Sequence, residues 1–176
     1  MTTMANESAL IIPIPEVEPI VSALRLQYDR AALLGVPAHV TLLYPFRPAD
    51  SAIDEVEKLT RFCSSVEAFS FSFIEVRRFP ATVYLHPDES ERFVQITEAL
   101  VRLWPDCRPY GGAFTDIVPH LTVADNVDVK ILDEVESFLR PKVPIKCIAR
   151  EILLITCDEA GMWSTLAHSP FSAKQA

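Results

Sequence analysis

Apolar positions follow two rhythms along this chain, one of period two and one of period three to four. Ala9–Ile14 is a continuous apolar run of strand length. Val17, Ile20, Val21, Leu24 and Tyr28 then mark a single helical face over Glu16–Tyr28. A strand follows at His39–Tyr44, just after Pro37. Ser51 with Asp54 three residues on has the form of a capping box, and Ile53, Val56, Leu59 and Cys63 give the buried stripe of a second helix. Phe69, Phe71 and Phe73 alternate with Ser70 and Ser72, a strong strand pattern that runs on to about Arg78 and places the three rings in the core.

The same order then returns. Thr82–His86 is a short strand, and Glu89–Trp104 is a helix with Phe93, Ile96, Leu100 and Leu103 on one face. His120–Ala124 is a strand, Val129–Leu139 a helix with Leu132, Val135 and Leu139 inward, and Lys146–Thr156 a strand. A last strand, Met162–His168, follows a turn at Gly161. Each half is strand–helix–strand–helix–strand, an internal repeat of architecture, and Phe79-Pro80-Ala81 is only a tight turn between the halves. The expected fold is α+β: one bilobal domain over residues 1–176, with lobes at about 9–78 and 82–168. A pseudo-two-fold axis would relate them, with antiparallel-rich sheets lining a central cleft and helices outside. The longest irregular stretch, Pro105–Pro119, contains Gly111-Gly112 and is a candidate lip over that cleft.

The middle strand of each half carries the chemistry. His39-Val40-Thr41-Leu42 and His120-Leu121-Thr122-Val123 share one pattern, in a chain with 4 His. Side chains alternate on a strand, so each His and Thr project together from one face while the apolar pair turns inward. Two imidazoles and two hydroxyls around one cleft suit acid–base chemistry at a phosphate. One His takes a proton from the attacking oxygen, the other protonates the leaving oxygen, and the Thr hydroxyls donate to the non-bridging oxygens. No metal or other cofactor is needed. The candidate catalytic residues are His39, Thr41, His120 and Thr122, and the candidate substrate-binding aromatics are Tyr44, Phe46, Tyr84, Tyr110 and Phe114. His86, at a strand end before Pro87, is expected in a loop or at the surface, and His168 in a structural role.

Charge and cysteine content narrow the setting. With 24 Asp and Glu against 16 Lys and Arg the net charge is −8, the wrong sign for gripping long RNA through its backbone. Phosphate recognition is then local, as for a small nucleotide or a chain end. Cys63, Cys107, Cys147 and Cys157 are widely spaced, without a C-x-x-C pair, and are expected as buried thiols. No stretch approaches the ~20 apolar residues of a membrane span. A cytoplasmic monomer is expected.

On the two H-x-T motifs, Pro119 before the second, and the duplicated lobes, the chain resembles the 2H phosphoesterase superfamily, in the branch called 2′-5′ RNA ligase-like. The likeness runs from about Ala9 to Phe171. It implies metal-independent phosphodiester chemistry on 2′,3′-cyclic phosphates or 2′-5′ linkages of nucleotides or RNA ends, with His39, Thr41, His120 and Thr122 at the catalytic positions. The RNA-end-processing branch often has a basic residue shortly after the second motif, where this chain has Ala124-Asp125. That departure leaves room for another cyclic phosphate, such as an ADP-ribose derivative. A nucleotide-binding module without turnover is the reading from a different class, and it has no need of two proton-transfer groups.

Overall fold

The computed structural model describes residues 6–113 and 116–173. Its elements are β1 (Ser8–Pro13), α1 (Glu18–Tyr28), α2 (Arg30–Leu33), β2 (His39–Leu43), α3 (Val56–Cys63), β3 (Phe69–Phe79), β4 (Thr82–Pro87), α4 (Ser90–Leu103), β5 (Leu121–Asp125), α5 (Val129–Leu139), β6 (Ile145–Ala149), β7 (Glu151–Cys157) and β8 (Trp163–Pro170). Single 3-10 turns lead into α1 and α3. The repeat is therefore β1-α1-β2-α3-β3 followed by β4-α4-β5-α5-β6, with β7 and β8 added.

Two four-stranded antiparallel sheets result, in the orders β2-β1-β7-β8 and β5-β4-β3-β6. The motif strands β2 and β5 are each the edge of their sheet, and the two edges run side by side with Cα atoms within 8 Å. Helices cross between the lobes: α1 leaves β1 yet packs on β5, and α4 leaves β4 yet packs on β2. An apolar core shared by both lobes follows from this exchange. It runs from Leu10, Ile12 and Val40 through Leu59, Phe71 and Phe93 to Leu121, Val135 and Cys147, all buried.

Three local expectations need correction. The sheets do not divide at 78 and 82, because β3 pairs with β4 and β6, while β7 and β8 return to β1. The expected single strand Lys146–Thr156 is two strands that belong to different sheets and meet at Arg150. The rhythm changes there. Ile145, Cys147 and Ala149 alternate with more exposed neighbours, whereas Ile152 to Ile155 are buried without a break because β7 is covered on both faces. Ser51 makes no cap; its hydroxyl donates to the Pro48 carbonyl at 3.1 Å, and the chain enters α3 through a 3-10 turn instead.

Candidate active site

Val40 and Leu42 of β2 and Leu121 and Val123 of β5 are buried in the common core, which turns His39, Thr41 and Thr122 to the opposite, groove-facing side. His120 immediately precedes β5. The chain leading into β2 is fixed from α1: Glu18 accepts from the Ala38 amide at 2.7 Å, and the buried Arg25 donates to the Val36 carbonyl at 3.3 Å. Arg25 is itself held by Asp29 at 2.8 Å, and Asp29 also caps α2 through the Ala31 amide at 3.0 Å. His39 thus sits at the end of a pinned segment.

The two imidazoles are held alike. Nδ1 of His39 donates to the carbonyl of Pro37 at 2.7 Å, and Nδ1 of His120 donates to that of Val118 at 2.6 Å. A nitrogen that donates to a carbonyl carries the proton, so in both neutral rings Nε2 is left with its lone pair. At His39 this lone pair accepts from the Thr41 hydroxyl at 3.1 Å. The hydroxyl of Tyr110, arriving from the loop after α4, shares a hydrogen bond with Thr41. Tyr110 and Gly111 reach it with positive φ, 51° and 63°. Among the described residues Thr122 meets no such partner.

Burial favours the neutral form of both histidines. It pushes His39 down to about 4, with the nearby charge of Arg25 and of a protonated His120 adding to the effect. His120 is lowered too, again by burial, although Asp125 and the Val118 carbonyl act the other way. The ring of His120 lies edge-on against Phe79 at 5.2 Å and Tyr84 at 5.4 Å, and these two are stacked on each other at 4.4 Å.

The expected substrate-binding aromatics separate into different roles. Tyr110 is at the groove, beside Thr41. Tyr84 is buried beneath His120, a supporting wall with no open ring face. Tyr44 is half-buried against Trp163 and donates its hydroxyl to Glu7 at 2.6 Å. Phe46 is a correction: it lies in the core, edge-on to Trp104 at 5.1 Å, with its carbonyl accepting from the Cys107 thiol. Phe114 lies outside the described residues.

Three residues on the groove face had not been picked out as site residues. Register pairs Tyr84 with both Thr122 and Arg77, and His86 with Glu75, so these side chains share the face of the motif. His86 is at the end of the inner strand β4, as expected, but half-buried on the sheet face and not in a loop. The alternation Thr82, Tyr84, His86 was its only signal in the sequence. His168 is exposed and meets Glu151 at 2.9 Å. All four cysteines are buried free thiols. Among the described residues no group of three or more His, Cys, Asp or Glu could hold a metal ion, and no helix is long and apolar enough to cross a membrane. Two shallow concavities elsewhere, one beside Phe62 and Arg92 and one beside Glu18 and Pro37, contain none of the motif residues.

Known proteins share this fold. The structure of TT0787 from Thermus thermophilus is similar at a TM-score of 0.62 and 17% identity, covering 96% of this chain and 100% of that one. Escherichia coli LigT in its apo form is similar at 0.62 and 14%, covering 95% and 98%. A crystal structure described as a phosphoesterase gives 0.62 and 12%, covering 96% and 99%. No curated protein matches the sequence. The sequence profile of the 2′-5′ RNA ligase superfamily matches residues 13–161, most of the chain and both motifs. On that match, with two H-x-T strands meeting at the edges of two exchanged lobes, this chain belongs to the 2′-5′ RNA ligase superfamily of 2H phosphoesterases.

Proposed function

We propose that this protein is a metal-independent phosphodiesterase acting on a 2′,3′-cyclic phosphate or a 2′-5′ phosphodiester bond of a nucleotide or RNA end. The observation that carries the reading is the matched pair of imidazoles: each has Nδ1 anchored to the carbonyl two residues back and Nε2 left as a base, on neighbouring edge strands. E. coli LigT has been crystallised with NADP+ and with 3′-AMP, which supports a nucleotide as the ligand here.

The steps follow from the geometry. A phosphodiester between the strands brings a negative charge to two neutral imidazoles, and its field raises the proton affinity of one of them. The neutral His removes a proton from water as the water oxygen bonds to phosphorus. The protonated His gives its proton to the 2′ or 3′ oxygen as the P–O bond breaks, leaving a phosphomonoester and a free hydroxyl. Thr41 and Thr122 donate to the non-bridging oxygens as charge builds there.

Turnover of a 2′,3′-cyclic mononucleotide in excess chelator tests this directly. A single phosphomonoester product is expected, with His39→Ala and His120→Ala each lowering kcat by roughly 10³-fold and the double variant little worse than either. Loss of activity on chelation, restored by a divalent ion, sinks the mechanism. So does full activity in either single variant.

A further inference from the structure

The two walls of the groove are chemically unlike. On the β2-β1-β7-β8 sheet, Ala9, Ile11, Leu153 and Ile155 are buried beneath Val36, Tyr44 and Trp163, so this wall is apolar and already covered by the chain itself. On the other sheet the corresponding face carries Thr122, Tyr84 and Arg77 in one cross-strand row, with His86 and Glu75 in the next. Arg77 is steered by its neighbours on this face. Its Nε and one terminal nitrogen donate to the two oxygens of Glu75 at 2.7 and 3.2 Å, and its side chain is 41% exposed. The hydroxyl of Tyr84 is a further polar neighbour, on the side toward the motif, and the His86 ring is another. Glu75 lies on the same strand, so it orients the fork without tying it to another element.

We infer that Arg77 forms a subsite for a second, non-reacting phosphate of the substrate, on the sugar's far side from the phosphate held at His39 and His120. The inference rests on the phosphodiesterase reading and names its substrate class. Arg77 is two strands from Thr122, roughly 10 Å at about 5 Å per strand. That is the scale of one nucleoside, and the register places Tyr84, a polar neighbour of Arg77, on the strand between Arg77 and Thr122. The edge of the guanidinium that Glu75 does not engage can meet a phosphate oxygen in the geometry this group favours. A protein of net charge −8 has to recognise phosphate with single placed cations, and Arg77 is one placed on the motif face. A terminal phosphate of a free nucleotide and the adjoining phosphodiester of an RNA end share this chemistry.

Binding separates the possibilities without depending on turnover. Adenosine 3′-phosphate and adenosine 3′,5′-bisphosphate are titrated into the wild-type protein and Arg77→Gln by calorimetry. The wild type should bind the bisphosphate about tenfold or more tightly than the monophosphate. Arg77→Gln should erase that preference and keep the monophosphate affinity within about twofold, which also reports that the variant is folded; Arg77→Lys should retain part of it. Equal wild-type affinities, or a preference that survives in Arg77→Gln, overturn the subsite while leaving the phosphodiesterase reading in place. Failure of the wild type to bind either nucleotide removes both. A dinucleotide with a 3′-phosphate presents the second phosphate as a diester. If its affinity falls in Arg77→Gln along with that of the bisphosphate, the subsite serves RNA ends; if only the bisphosphate responds, it serves free nucleotides.

Discussion

His39 and His120 are matched in tautomer and differ in what stands before Nε2. At His39 the Thr41 hydroxyl already donates to the lone pair, and Tyr110 leans on that hydroxyl; among the described residues Thr122 meets no such partner. A donor to the neutral form disfavours protonation, so Thr41→Val should raise the proton affinity of His39 as well as remove a phosphate contact. We expect kcat to fall by about 10²-fold in both Thr→Val variants, with the pH profile moved upward only in Thr41→Val. Near-wild-type kcat in both would make the hydroxyls structural. The lowered histidines also fix the sign of the pH dependence. In the free protein both rings sit below their ordinary range, His39 at about 4, so the form with one ring protonated is populated on the acid side and depleted as pH rises. The kcat/KM profile, which reports the free enzyme, should therefore be a bell with its optimum below about 6.5, its limbs belonging to the pair. Bound phosphate raises the same groups, so the kcat optimum should lie at higher pH. A kcat/KM optimum at or above about 7 would contradict the neutral pair.

At the scale of elements, the approach to β2 depends on charges buried under α1. Arg25 and Asp29 are 2% and 5% exposed, and burial raises the Asp29 carboxyl despite its partner. Removing the guanidinium in Arg25→Met leaves that carboxylate uncompensated and frees the Val36 carbonyl. A loss of about 3–5 kcal/mol in denaturant unfolding is expected, most of it regained in Arg25→Met with Asp29→Leu. A loss under about 1 kcal/mol would mean that water solvates the site. The sequence showed the motif strands and every long helix because their periods are set locally, by residues a few positions apart. It could not show which sheet a strand joins. Lys146 to Thr156 looked like one strand, since the switch at Arg150 is decided by partners far away in the chain. Arg77 was likewise invisible: only the register with Tyr84 and Thr122 brings it to the motif face. Phe46 failed for a related reason, an aromatic two residues beyond Tyr44 whose ring turns into the core against Trp104.

For the whole molecule, charge and topology set separate limits. Two phosphates at most are neutralised if Arg77 and the motif bind one each, so the slope of log affinity against log salt should stay shallower than about −1.5 for a short substrate, at about −0.7 per phosphate. A steeper slope with long RNA would reveal an extended cationic surface. Topology acts on timing. The β2 edge is stabilised through β1, and β1 finds its other neighbour in β7, where Leu10 lies opposite Leu154. A ribosome delivers both H-x-T motifs well before that strand. Between Thr122 and Glu151 the nascent chain therefore carries both reactive motifs without the sheet that aligns them, and it acquires competence for catalysis only when the β7-β8 hairpin closes against β1.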